Sequence, residues 1–170
     1  MKKLSMILPL VFLLCFTFGC QKAEEVAEEP VVDVEAAKEA INGWYERYVA
    51  NNNAGDFDSF GAFFTEDIVW LPPDAPIVIG KKAILDYARP FFELYNIHQE
   101  ITVEEITVSG KIAFGRSSNS EEYSPKGEGE SIKTDNKAIY IFQHQDDGTW
   151  ICSHAIWNSN VPPAPQTKEE

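Results

Sequence analysis

Positive charge is in short supply in this sequence. Its 14 Lys and Arg stand against 27 Asp and Glu, a formal net charge of −13. So acidic a surface repels nucleic acid and anionic lipid headgroups, and it disfavours phosphate-rich ligands unless a local basic pocket overrides it. The bland alternative is that the acidity serves solubility alone. Cysteine is scarcer still, with three in 170 residues. Cys15 and Cys20 fall in or beside the N-terminal apolar run, so once that segment is set aside Cys152 stands alone and no intrachain disulfide is possible. A lone cysteine in a strand reads as a small buried hydrophobe. His154, two residues further along the same strand, is poorly placed to activate it as a nucleophile. The three histidines, His98, His144 and His154, include no i, i+4 pair, so no metal site is expected. His98 remains open as a lone base. There is no Gly-x-Ser-x-Gly elbow and no phosphate-cradling glycine loop, which removes the common hydrolases and nucleotide enzymes. No cofactor is expected.

What is present begins at the N-terminus. Lys2 and Lys3 precede an almost unbroken apolar run over residues 4–18, and Gly19-Cys20 follows it. Charge, apolar core and small residue in this order read as a secretory signal. The run is short for a permanent span, which takes roughly 20 apolar residues. Gly19-Cys20 resembles a lipoprotein processing site, with Thr17 and Phe18 departing from its usual pattern. The expectation is a signal peptide over 1–19 and lipid on Cys20. An ordinary signal peptide or an uncleaved anchor is the alternative. Several acyl chains on Cys20 would hold the chain firmly to a membrane. Gln21 stands where lipoproteins kept at the inner membrane usually carry Asp, which favours the outer membrane of a host that has one. Removing 1–19 leaves 12 basic against 27 acidic residues.

Residues 20–33 are rich in Glu and poor in apolar side chains, and read as a solvated tether. The Pro-rich end, 164–170, reads as a disordered tail. One domain is expected between them, over 34–163. Val34, Ala37, Ile41, Trp44, Tyr45, Tyr48 and Val49 recur at steps of three and four, an amphipathic helix. Asn51-Asn52-Asn53-Ala54-Gly55 ends it, and Asp56 caps a second helix bearing Phe57, Phe60, Phe63 and Phe64. Residues 68–71 form a short strand stopped by Pro72-Pro73. Gly80 opens a third helix, which Pro90 should break or kink. Alternation then marks strands over 97–108, 112–123, 131–144 and 150–158, with a bulge at Glu104-Glu105 and a hairpin at Asp146-Asp147-Gly148. Glu104-Glu105 and Glu121-Glu122 should each face water on at least one side. In the last strand, Ile151, Ser153, Ala155 and Trp157 fall on one face. Trp150, Cys152, His154 and Ile156 fall on the other. The fold class is α+β, with helices packed on a curved sheet.

Several segments, in order and at these distances, resemble the nuclear transport factor 2-like superfamily, in its SnoaL-like and ketosteroid isomerase-like branch. They are Tyr48 with Gly55-Asp56, Phe63-Phe64-Thr65-Glu66-Asp67, Pro76 to Gly80 with Lys81, Asp147-Gly148-Thr149-Trp150-Ile151, and Ile156-Trp157-Asn158-Ser159. The resemblance implies a cone of curved antiparallel sheet under three N-terminal helices, an apolar pocket and, in many members, a homodimer. Ketosteroid isomerases use an Asp base with a Tyr and a protonated Asp as oxyanion donors. By resemblance Tyr48 matches the tyrosine, the base falls on Pro72, the second donor falls on Tyr140, and a pocket tryptophan matches Trp157. Asp74, two residues beyond Pro72, is the substitute base, or else a solvent-facing turn former. Tyr48, Trp70, Tyr140 and Trp157 are the expected lining for a small apolar or aromatic ligand, although each alone could simply be core. Three functions stay open: a membrane-displayed binding domain, an isomerase, cyclase or dehydratase using Tyr48 and Asp74, and a dimeric interaction module using the outer sheet face near Trp150, His154 and Ile156.

Overall fold

A computed structural model describes residues 32–162. The expected signal peptide over 1–19, Cys20 and its lipid, all but the last two tether residues and the tail over 164–170 lie outside the described residues. Helix α1 is Val34–Ala54, with Asp33 as its N-cap accepting from the Glu35 and Ala36 amides at 3.0 and 3.1 Å. Ala37, Ile41, Trp44, Tyr45 and Tyr48 form its buried stripe. The helix outlasts its apolar rhythm, because each amide of the Asn triplet finds a partner. Asn51 donates to the Asp56 carbonyl (2.9 Å), Asn52 to the Gln99 side chain (2.8 Å) and Asn53 to the Gln99 carbonyl (3.0 Å). Gly55 then ends the helix with a left-handed backbone (φ 66°) that a side chain would disfavour.

Asp56 caps the one-turn helix α2, Phe57–Phe60, through the Ser59 amide at 3.1 Å. A 3-10 turn over Gly61–Phe63 leads into strand β1, Phe64–Leu71, which starts four residues earlier than expected. The two-residue strand β2, Val78–Ile79, is an addition to the expected elements. Helix α3 is Lys81–Leu94 and passes through Pro90. It tolerates the proline because the site is exposed and the carbonyl left without a partner belongs to exposed Asp86. Four long strands follow: β3 Tyr95–Ser109, β4 Ile112–Pro125, β5 Ile132–His144 and β6 Trp150–Ser159. Among the described residues no helix is long and apolar enough to cross a membrane.

The strands form one curved, unclosed sheet in the order β2-β1-β6-β5-β4-β3. All neighbours are antiparallel except β1 and β6, so the sheet is mixed. The expected bulge appears between Val103 and Glu105. A second shift separates the pairs Ile141–His154 and Phe142–Cys152, leaving Ser153 as the extra residue in β6. It changes the parity of the strand. Trp150 and Cys152 therefore join Ala155 in the core rather than the outer face, which His154 and Ile156 share without them. Burial also raises the Cys152 thiol well above its ordinary range, which argues against a thiolate nucleophile.

Trp44 anchors α1 on the sheet. It stacks on Tyr48 (4.9 Å), meets Phe142 edge-on (5.0 Å) and donates its indole N–H to the Phe63 carbonyl at 3.1 Å. Beside it, Tyr45 presses its hydroxyl onto the backbone of Gly115. A Cβ at Gly115 would lie 2.4 Å from that oxygen, and the buried hydroxyl has no hydrogen-bond partner among the described residues. Gly115→Ala should therefore lower stability by about 1–3 kcal/mol. Tyr45→Phe should be close to neutral, since it removes an unpaired polar atom. The double variant should recover most of the loss, because the nearest remaining contacts are 3.2 Å. Thermal melts of the three variants check this.

Candidate functional site

Between α1, α3 and the inner face of the sheet lies a cavity of about 260 Å³. Tyr48 reaches it from α1, Trp70 from β1, Tyr140 from β5 and Trp157 from β6, so all four expected lining residues meet there. Trp70 and Trp157 touch edge to face, with centroids 5.4 Å apart. The indole N–H of Trp70 is buried and has no acceptor among the described residues, which leaves a donor available at the wall. Asp74 does not join them. It stands exposed in a left-handed turn (φ 54°) and is absent from the lining, while its neighbour Pro73 is part of it. His98 also lies outside, exposed and 3.7 Å from Glu100. Among the described residues no three His, Cys, Asp or Glu side chains are grouped to hold a metal.

The largest surprise is Glu121. Its neighbour Glu122 faces Lys133 at 3.3 Å, but Glu121 turns inward, 8% exposed, and forms part of the cavity wall. Gln99 donates to Oε1 at 3.3 Å, Asn136 donates to Oε2 at 2.9 Å, and the Thr134 hydroxyl makes a short bond to Oε2. Gln99 is itself gripped from α1, by Asn52 through its side chain and by Asn53 through its backbone. The signal is present in the sequence. On β4 the inward positions run Ser117, Asn119, Glu121, Tyr123, so counting by twos from buried Ala113 reaches Glu121.

A second polar chain runs deeper. Ser117 donates to Asn119 Oδ1 at 2.7 Å, and Asn119 Nδ2 donates to the Tyr140 phenolic oxygen at 2.9 Å. Because that oxygen is already an acceptor, the phenolic proton of Tyr140 is free to be donated. Burial, reinforced by neighbouring Tyr45, holds the Tyr140 phenol well above its ordinary range. Burial does the same to Tyr48, with Tyr140 adding to it and Asn52 pulling partly back. Both are neutral donors at any ordinary pH. The site thus offers aromatic walls, four phenols, of which Tyr48 and Tyr140 are buried, and one carboxylate.

Helices laid across the hollow of an open curved sheet, with a lined cavity between, define the nuclear transport factor 2-like class of fold. Within that class the SnoaL-like domain profile matches residues 45–152, more than half of the chain, and the chain belongs to the SnoaL-like family. Solved structures agree on the fold. A conserved protein from Planctomyces limnophilus DSM 3776 is similar with a TM-score of 0.68 at 21% identity, covering 74% of this chain and 98% of that one. A ketosteroid isomerase-like protein from Erwinia carotovora atroseptica SCRI1043 gives 0.65 at 20% identity, over 73% and 96%. An NTF2-like protein with a cystatin-like fold from Novosphingobium aromaticivorans gives 0.63 at 16% identity, over 76% and 86%. No curated protein matches the chain.

Four phenols, three of them buried and Tyr123 half-buried, carry a pH consequence. Tyr45, Tyr48, Tyr123 and Tyr140 are all raised, chiefly by burial. An unfolded chain releases these protons near pH 10, while the folded chain still holds them. Stability should therefore be intact below about pH 10 and fall as pH rises beyond it. Absorbance of tyrosinate against pH should show these groups ionising together with loss of the fold, not before it.

Proposed function

We propose that this chain is a membrane-displayed binding domain of the SnoaL-like type for a small apolar or aromatic molecule, and not a classical isomerase. The observation that carries the reading is the convergence of Tyr48, Trp70, Tyr140 and Trp157, from four separate elements, on one cavity. A cavity of about 260 Å³ with aromatic walls, and with Gln99, Asn119, Glu121, Thr134 and Asn136 also in its lining, suits a small, flat aromatic ligand. Against classical isomerisation stands Pro72, buried and without a titratable group where the family's base is expected. Display at a membrane rests on Lys2-Lys3, the apolar run and Gly19-Cys20.

A catalytic reading has one observation of its own. Glu121 and Tyr140 put a carboxylate and a free phenolic donor in the same cavity. An isomerase, cyclase or dehydratase could use them in place of the missing base, and the name of the Erwinia protein points to the same class. A dimer is favoured by the outer face, where Ile139 and Ile156 are paired neighbours, each 40% exposed, with exposed Phe114 nearby on β4. Light scattering would read that directly.

Titrating the full chain with small aromatic compounds should quench its tryptophan emission saturably, and Trp157→Ala should weaken binding about tenfold or more. No saturable change across neutral, cationic and anionic aromatics would end the binding reading. For the anchor, fatty-acid labelling should mark the wild-type chain and vanish in Cys20→Ser. Labelling that persists in the variant would remove the assignment.

A further inference from the structure

Resting on the binding reading above, we propose that the ligand of this cavity is an organic cation: an ammonium group carried on a flat or aromatic body. The argument begins with charge. Among the described residues Glu121 is the one carboxyl group in the wall, and no Lys, Arg or His side chain lines the cavity. Among the described residues no ion pair reaches Glu121. The nearest basic neighbour in sequence register, Lys133, pairs with Glu122 instead. Its three partners, Gln99, Thr134 and Asn136, are neutral donors. They satisfy its oxygens but leave its charge uncompensated. A buried charge without a counter-charge is expensive, and removing the partner of a buried ion pair is strongly destabilising for the same reason. The cavity therefore contains half of an ion pair.

The geometry also leaves room for the other half. A carboxylate has about four acceptor positions. Two are taken on Oε2 and one on Oε1. The position left on Oε1 is on a residue that forms the cavity wall, so an ammonium N–H can take it. The negative charge also reaches the surrounding phenols: burial raises Tyr123 and Tyr140, and Glu121 adds to both. Aromatic faces supply the remaining recognition. Tyr48, Trp70, Tyr140 and Trp157 offer π surfaces to a cation, an attraction that strengthens where water is excluded. A carboxylate or phosphate ligand would meet repulsion instead. The chain's net charge of −13 draws cations toward the cavity mouth.

The test is calorimetric titration of the full chain with 2-phenylethylammonium and with 2-phenylethanol, which differ in charge but hardly in size. The ammonium should bind at least about tenfold more tightly, as charge-assisted hydrogen bonds exceed neutral ones. 3-Phenylpropanoate should bind more weakly than either. Glu121→Gln, which keeps the shape, should abolish the preference for the ammonium over the alcohol. Equal binding of ammonium and alcohol by the wild-type chain would overturn the charge inference and leave the binding reading standing. A preference that survives Glu121→Gln would also overturn it, since it would then report the chain's overall negative charge. Binding of none of the three would end the binding reading and this inference together. Should Glu121→Gln lose its circular dichroism signature, the wild-type comparison repeated at high salt decides: a preference held by Glu121 persists where the chain's overall charge is screened, and one that vanishes there overturns the inference.

Discussion

The constraint on which this molecule turns is a carboxylate taken out of water without a cation to meet it. Moving such a group inside costs several kcal/mol even after relaxation. Hydrogen bonds to a charged group return roughly 1.5–3 kcal/mol each. Glu121 needs all three of its donors, and between them they tie down two other strands. Gln99 brings in β3, Thr134 and Asn136 bring in β5, and Gln99 in turn fixes the end of α1 through Asn52 and Asn53. Asn51, one residue earlier, holds the Asp56 carbonyl and so the start of α2. The helix end, the edge strand and two central strands are therefore located by one acidic side chain. An apolar residue at that position would remove the desolvation penalty and the need for this scaffolding.

The inner sheet face shows how the charge is accommodated. Paired positions of β4 and β5 run from Ala113–Phe142 and Gly115–Tyr140, through Ser117–Ala138 and Asn119–Asn136, to Glu121–Thr134 and Tyr123–Ile132. The first rungs are apolar and sit under Trp44 and Tyr45. Polarity then rises along the strands and ends in an aromatic and aliphatic rim. The packed end supplies the hydrophobic free energy, which grows with apolar area removed from water. The middle rungs can then carry polar groups without loss of the fold. Gly115 illustrates the tightness of the packed end, since its missing side chain is the space that Tyr45 occupies.

Much of this architecture is legible in the amino-acid sequence. The steps of three and four in α1 survive as its buried stripe, Gly55 is the left-handed cap, and the doublet Glu104-Glu105 is where β3 changes register. These features are local, so sequence alone can carry them. The features that escape it share a different cause. Strand β2 is two residues long, too short for any alternation to be read. The parallel contact of β1 with β6 joins residues far apart in sequence. The Ser153 bulge inserts one residue in a stretch with no Gly or Pro to mark it, so plain alternation puts Trp150 and Cys152 on the wrong face. The four aromatic lining residues follow from family resemblance and strand parity. Glu121 escapes notice because an adjacent acidic pair reads as solvated until the inward parity of β4 is counted.

The position of Glu121 also separates this site from the isomerase pattern that its fold brings to mind. By the resemblance, the carboxylate base of that pattern falls on Pro72. The acid of this cavity comes from β4 instead, beyond the Asn119–Asn136 rung from Tyr140. A general base must present a lone pair to the proton it removes. Three of the roughly four positions on Glu121 are already occupied by fixed donors. Such a group is well built to hold a charge in place and poorly built to exchange protons. Tyr140 has complementary properties, with its oxygen occupied by Asn119 and its proton free. A ligand that is positive at one end and accepts a hydrogen bond at the other would satisfy both residues at once, with the aromatic walls gripping the body between them.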